Sequence, residues 1–597
     1  MLKKIKISFL FCNFTNCRIN VIYIGIMKKL LITASLLVIV NLAFAQKTDD
    51  LTSSADKIFI NGTILTMDSL NTVLQAVAIK DRKILAVGTT EEINKFKGNQ
   101  SEIIDLKGKT LIPGFIDGHS HFMSLGKDES VNISSPPMGN VTKIADIITE
   151  ILKFKIEHNI KDGEWITATR YDPDQLEEKR HPVKEDLDKA FPMNPVLLNH
   201  VSGHLSVANS AALKASGIDI NTKDPVGGVI VRKTGSNEPT GLLQERASNI
   251  VKSHVTKDKK TIEEKFQQLK EQQDLYASFG ITTAQDGSSS AETIEFIRKG
   301  AEQNKVFIDI ELLASFGIID RLISDPDFKP GILRNHIKID GVKFFSDGSP
   351  QGLTAFFSRP YITEVPGCDS NCMGFPTVTQ ERFNAAVKKA FANNIHFYVH
   401  ANGDSAIGMF IYAVEKANKE LNITSVGRRP VVVHSQFVRA DQLDKYAQLG
   451  ITPSFFSNHA FFWGDTHIKN LGKERAYFLS PLKTALNKGI RYTNHTDFGV
   501  TPINQIFLLW TSVVRKSRSG EIIGPNERIT PMEGLRALTI NGAYQYFEEG
   551  IKGSIEAGKL ADMVILSENP VTIDPNKIKN IVVLETIKEG ETIYKKK

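Results

Sequence analysis

The run Thr110-Leu111-Ile112-Pro113-Gly114-Phe115-Ile116-Asp117-Gly118-His119-Ser120-His121 joins an apolar, strand-like segment to two histidines spaced one residue apart. On a strand, side chains two positions apart point to the same side. His119 and His121 therefore present two imidazoles to one spot where the strand ends. Neutral imidazole is a preferred zinc ligand, and a pair on one strand supplies half a metal site. Taken alone, the two histidines are also open to being core or surface residues.

Working outward, seven further apolar runs alternate with amphipathic helical stretches: 280–287, 307–312, 341–348, 396–404, 430–438, 450–456 and 489–497. Several begin at the glycine that closes a helix. Alternating strand and helix argues for a parallel sheet, and eight units for a closed barrel. The gap between His121 and Gly280 is too long for one crossover. An inserted subdomain is expected there, over about 130–275, including the helical stretch 142–158 and the segment 195–213. Residues 46–112 and 545–597 carry β-rich pieces, such as Lys57-Ile58-Phe59-Ile60 and Met563-Val564-Ile565-Leu566. Each is too small to bury a core alone, so the two ends are expected to pair. The expected fold is α/β: a (β/α)8 TIM barrel over 113–544, with a small β-sandwich built from both termini and an insertion after the first barrel strand.

Polar residues recur where other expected strands end. Val399-His400-Ala401-Asn402-Gly403-Asp404 follows one, Val431-Val432-Val433-His434 ends the next, and Tyr492-Thr493-Asn494-His495-Thr496-Asp497 ends the last. In a parallel barrel these ends converge on one face, where such folds carry their chemistry. Jointly they point to a centre of one or two metal ions.

With these motifs the sequence resembles the amidohydrolase superfamily, in the branch that contains N-substituted formamide deformylases. The markers are Pro113 to His121, Gly341-Val342-Lys343-Phe344-Phe345-Ser346-Asp347-Gly348-Ser349, His400 to Asp404, and Gly553-Ser554-Ile555-Glu556-Ala557-Gly558-Lys559-Leu560-Ala561-Asp562. The resemblance implies a hydrolase acting on carbon–nitrogen bonds other than peptide bonds, by a metal-activated hydroxide. His119 and His121 would bind the more buried metal. Lys343 would be carboxylated and bridge two metals, because a protonated lysine is repelled by cations whereas its carbamate is an anionic ligand. His400 and His434 would bind the second metal, and Asp497 would bind the first and act as general base. Zinc suits these ligands, and iron, manganese and nickel stay open. The chain departs from many relatives at Val433, where they carry Glu, and at Asn494-His495-Thr496-Asp497, where they read Gly-Ser-Asp. Metal number and identity therefore stay open.

Substrate signals are fewer. The segment Phe455 to Asp465 follows the seventh strand, and Phe456 and Trp463 there could wall an apolar pocket or simply pack on the insertion. His459 is the expected polarising residue of that loop. His200, His204 and Glu245 could reach the site from the insertion or be structural. The expected substrate is a small amide-type or N-substituted formamide-like molecule. A cyclic amide, an aminated ring, a carbamate or an isomerisable substrate are the alternatives, and a non-catalytic exported binding protein is the reading from another class. A homodimer is open.

The formal charge of +6 is misleading, since residues 1–45 hold six basic residues and no acidic one. Setting those aside leaves 67 basic against 67 acidic residues, which excludes the electrostatic footprint of a nucleic-acid binder. Met27-Lys28-Lys29, the apolar run Leu30 to Val40 and Ala43-Phe44-Ala45 read as an export signal, with Met27 a candidate initiator. The apolar run is shorter than the ~20 residues of a spanning helix. The mature protein is therefore expected to be periplasmic or secreted, with no membrane segment. In that compartment Cys368 and Cys372, close together in a loop, are expected to form a disulfide.

Overall fold

The computed structural model describes residues 54–123, 130–136, 138–255, 260–368 and 371–597. The expected signal region, 1–45, lies outside the described residues. Among those described, no helix is long and apolar enough to cross a membrane.

Eight parallel strands form one sheet whose spatial order follows the chain. They are Phe115–Ile116, Ile281–Ser289, Asp309–Ser315, Ile337–Phe345, His396–Ala401, Val431–His434, Thr452–Phe455 and Thr493–Asn494. Each overlaps one of the eight apolar runs, although the second and third strands, Ile281–Ser289 and Asp309–Ser315, run past the end of theirs and the fourth, Ile337–Phe345, starts before its own. Helices such as Ile262–Ser278, Gln380–Ala392, Asp404–Leu421 and Ala440–Leu449 connect them. The first of these begins in a capping box, in which Thr261 and Glu264 satisfy each other's backbone N–H. It packs on the second strand of the sheet, so this crossover helix lies inside the stretch expected for the insertion. The outer core between sheet and helices is aliphatic and aromatic, including Ile310, Val342, Phe344, Phe397, Val399 and Phe410. At the sheet's two ends, the Asp497 N–H donates to His119 O at 3.2 Å. Gly118 lets the first strand approach the last, since a Cβ there would sit 2.7 Å from Thr493 Oγ1. The fold is TIM-barrel-like.

The run from Thr110 to His121 serves two sheets rather than one. Thr110–Pro113 pairs antiparallel with Met563–Leu566, Met563 facing Pro113 and Leu566 facing Thr110. Only Phe115–Ile116 joins the barrel sheet. The C-terminal strands thus enter a six-stranded sheet with N-terminal ones, beside a four-stranded sheet from residues 55–105. Phe59, Val77, Ile79, Leu111, Met563 and Ile587 pack between the two, which supplies the core that neither end could bury alone. Beneath the barrel, Lys588 Nζ donates to Asp309 and Asp562, both at 2.8 Å. This ties the C-terminal strands to the third barrel strand.

The long gap after His121 holds a further six-stranded sheet, ordered Gly228–Arg232, Pro239–Glu245, Leu205–Ala208, Val196–His200, Ile166–Tyr171 and Val131–Asn132. Helix Ile144–Glu157 buries Ile147 and Ile151 against Ile166, Val196 and Leu198. Leu205 pairs with Gln244, and the Glu245 N–H donates to His204 O at 2.8 Å. That register sets His204 beside Glu245 at one end of the inserted sheet. Cys368 and Cys372 are disulfide-bonded.

Candidate metal centre

Five barrel strands deliver the six residues that the motifs single out. His119 and His121 follow the first, Lys343 sits in the fourth, His400 in the fifth, His434 ends the sixth, and Asp497 follows the eighth. The structure brings all six together. Asp497 Oδ1 lies 3.7 Å from His119 Nε2 and 3.5 Å from His121 Nε2, and Lys343 Nζ lies 3.1 Å from His119 Nε2. The His119 and His434 rings are 5.5 Å apart, and those of His434 and His400 are 4.7 Å apart.

Neighbours set which nitrogens face the centre. The His119 Nδ1–H donates to Gln285 Oε1 at 2.6 Å, leaving Nε2 with its lone pair toward Lys343. Gln285 is itself held by Nε2–H donation to Tyr546 OH at 2.7 Å, and that hydroxyl donates to Asp117 O. Such partners fix ring orientation and raise ligand basicity. His434 Nδ1 meets His495 Nε2 at 3.1 Å, and His495 Nδ1 meets Ser454 Oγ at 2.9 Å. Asp347 lies 3.3 Å from His400 Nδ1 and accepts from the backbone N–H of Asn402 and Gly403.

The electrostatics are those of buried groups. Burial holds His119, His400 and His434 well below the ordinary imidazole value, and His121 down to about 3. Each is thus in the neutral form that binds metal. Burial lowers the Lys343 amine, with Asp497 opposing; a free amine is what carbamate formation requires. Burial raises Asp497, opposed by Lys343, and raises Asp347 to about 7.

A divalent metal fits this donor set. His119, His121 and Asp497 each offer one ligand atom, all within 4.8 Å of one another. Asp497 Oδ1 is buried without a hydrogen-bond partner among the described residues. Leaving such atoms unpaired is costly, and a cation relieves the carboxylate directly. His434, Asp497 and Glu245 at the site also hold positive φ, of +72°, +49° and +50°. Non-glycine residues pay ~1–3 kcal/mol for sparsely populated backbone regions, and those that do so cluster at functional sites.

The other sequence candidates separate. His204 reaches the centre, its ring 4.8 Å from His400, with Nδ1 held 2.9 Å from Glu245 Oε2. Burial disfavours its charge, but Glu245 outweighs this and raises it above the ordinary value. Gly348 makes room for that carboxylate, because a Cβ there would collide with Glu245 Oε1 and Thr354 Oγ1. His200 stays within the insertion, against Tyr171 and His181, with Nδ1 on Ser202 Oγ. Phe456 lies 4.9 Å from the His495 ring and 4.5 Å from that of His459. Trp463 does pack on the insertion, its Nε1–H donating to Asp172 Oδ2 at 2.9 Å, while its ring lies 4.4 Å from His459. From sequence, Asp347 and His495 stand within quoted motifs with no role assigned, and Gln285 and His467 are not singled out. His495 had a signal, since it lies two residues before Asp497; Gln285 and His467 had none.

The model of the amidohydrolase family matches residues 102–594. The chain is 27% identical over 563 residues to N-substituted formamide deformylase of Arthrobacter pascens, covering 92% of this chain and 99% of that protein. It is 27% identical over 565 residues to the putative amidohydrolase YtcJ of Bacillus subtilis, covering 90% and 99%. Among solved structures, an uncharacterized metal-dependent hydrolase from Pyrococcus horikoshii is similar in fold, with TM-score 0.66, 22% identity, and coverage of 87% of this chain and 99% of that one. A family match over most of the chain, joined to a histidine-rich rim that fits a divalent metal, leads to one conclusion: the chain belongs to the amidohydrolase family.

Proposed function

We propose that this protein hydrolyses an amide-type C–N bond of a small molecule, with an N-substituted formamide as the first substrate class to test. The observation that carries the reading is the convergence of six residues from five strands, with Asp497 Oδ1 3.5 Å from His121 and 3.7 Å from His119. His119, His121, Lys343 as its carbamate, His400, His434 and Asp497 would hold one or two divalent ions, zinc first. When bound, such an ion supplies Lewis acidity that brings the pKa of water toward ~7.

The chain's own groups then divide the work. Hydrolysis adds oxygen to the carbonyl carbon and a proton to the departing nitrogen. Asp497 takes the proton from the attacking water and returns it to that nitrogen as the C–N bond breaks. Its burial raises its affinity for that proton, which suits an acid–base shuttle. His459 hydrogen-bonds the substrate carbonyl oxygen. His204, steered by Glu245, faces the same space from the insertion. Phe456, its ring 5.8 Å from that of His434, walls the apolar side for the nitrogen substituent.

Segment 1–45 is proposed to direct export to the periplasm or medium, and the Cys368–Cys372 disulfide is consistent with an oxidising compartment. The test of function is a panel of N-substituted formamides, acyl amides, cyclic amides and aminated rings, assayed with zinc or manganese. Formamide turnover above the others supports the reading; preference for the aminated or cyclic substrates replaces it. Purified protein with ~0 equivalents of metal and no turnover would favour a binding role.

A further inference from the structure

His467 has no place in the ligand set, yet it is fully buried on the helix Gly464–Leu471 behind the site. Its Nε2 lies 3.1 Å from His459 Nδ1. The two ring planes differ by 2°, with centroids 5.4 Å apart. The rings are thus nearly coplanar, each pointing a nitrogen at the other, and one hydrogen is shared between them. Which ring owns that hydrogen decides what His459 can do.

The answer lies on the far side of His467. Its Nδ1 is buried with no hydrogen-bond partner among the described residues. The Phe437 ring lies 5.3 Å from the His467 ring and edge-on to it, and Phe437 belongs to an apolar cluster with Leu471, Leu479 and Ile523. A neutral imidazole carries one proton. If His459 donated to His467, the proton of His467 would have to sit on Nδ1, as a buried N–H with no acceptor among the described residues. Buried orphan N–H groups are rarer than under-satisfied acceptors. Protonating His467 fully would leave the same orphan donor, and burial opposes it, holding the ring neutral. His467 therefore carries its hydrogen on Nε2 and donates it to His459 Nδ1. His459, also kept neutral by burial, must then carry its own hydrogen on Nε2.

We infer that His467 is a positioning residue that locks His459 in the Nε2–H tautomer, making His459 a fixed hydrogen-bond donor to the substrate's carbonyl oxygen. The second half rests on the proposed hydrolysis; the first does not. A carbonyl oxygen only accepts, and negative charge grows on it as the carbon becomes tetrahedral. A donor set before substrate arrives needs no reorganisation at that moment. Trp463 at 4.4 Å and Phe456 at 4.5 Å pack against the His459 ring, and Asp172 of the insertion anchors the Trp463 indole.

The tautomer can be read directly. Holoenzyme labelled with 15N-histidine is recorded by long-range 1H–15N correlation near pH 7.5, with His459→Gln and His467→Gln used for assignment. Protonated Nε2 and bare Nδ1 on His459 are expected; a protonated Nδ1 on His459 overturns the inference whatever the activity. Kinetics supply the second arm. His467→Leu should lower kcat at least tenfold, with KM within threefold and metal content unchanged. His467→Gln, whose amide can still donate to His459 Nδ1, should recover most of the loss. Equal losses in both variants, or none in His467→Leu, refute a positioning role. If the wild type turns over no C–N substrate, the proposed function fails while the spectrum still decides the tautomer.

Discussion

Asp497→Asn isolates the proton shuttle from everything else that residue does. Asp497 sits at φ +49°, in the left-handed region where Asn and Asp are the tolerated non-glycine residues. The replacement is isosteric and its backbone is compatible, so the fold and the Asp497 N–H donation to His119 O survive. The amide oxygen can still face His119 and His121, and five other ligands remain, so metal should be largely retained. What disappears is a group able to accept the proton of water. Positioned acid–base groups contribute about 10²–10⁴ in rate, equivalent to about 3–5 kcal/mol of barrier at 1.36 kcal/mol per tenfold. The assay is kcat/KM on the best formamide or amide substrate, beside metal content by elemental analysis and the unfolding midpoint. The expected result is a hundredfold or greater loss in kcat/KM at near-native metal content and midpoint. Activity within threefold of wild type, with metal bound, would refute the base assignment. Loss of metal in step with activity would instead reassign Asp497 as a ligand alone.

Three further outcomes follow from the same geometry. Gly348→Ala drives a Cβ into Glu245 Oε1 and Thr354 Oγ1, so it should cost about 1–3 kcal/mol by overpacking and displace the Glu245 carboxylate from His204; unchanged kcat/KM would show that this pair is dispensable. Chelation should abolish turnover and lower the unfolding midpoint, with zinc or manganese restoring both, because a ligand at 100 times its Kd contributes about 2.7 kcal/mol; full activity in metal-free protein would sink the metal reading. His467, its pKa pushed down by burial to about 3, binds no proton in the folded chain near pH 5–6, whereas the unfolded imidazole, near 6.5, does. Its contribution to stability is therefore complete above about pH 6.5 and is lost as pH falls from there toward about 3, with a slope of about 1.4 kcal/mol per pH unit. His467→Gln should flatten the acid arm of denaturant-measured stability by that one-proton slope, and an unaltered arm would mean that His467 is not held neutral.

Much of the barrel was legible because it is written in local pattern. Each of the eight strands overlaps a short apolar run, and the run ending at His119 and His121 leads to the metal centre, although both histidines lie just beyond the strand Phe115–Ile116 and not on it, where the i, i+2 rule puts them. His400, His434 and Asp497 could be gathered because parallel strands share one C-terminal face. The double use of the run from Thr110 to His121 was not legible. Nothing local to Gly114 marks the point where the chain leaves one sheet for another. His204 and His200 look alike in sequence, four residues apart on either side of a strand turn. Only the pairing of Leu205 with Gln244 sends one toward His400, and only the Tyr171 and His181 rings hold the other back.

The sequence by itself determined the alternation of strand and helix, the imidazole pair next to the first strand and the ligand types at the other strand ends. These depend on side-chain periodicity and intrinsic ligand chemistry, both carried by a few neighbouring residues. Only the tertiary structure decided which nitrogen of His119 and of His434 faces a neighbour, because Gln285 and His495 arrive from distant segments, whereas His467 reaches His459 from only eight residues along the chain. It also decided that an inserted sheet contributes to the rim, since the close approach of Glu245 to Gly348 exists only once two separate sheets have packed.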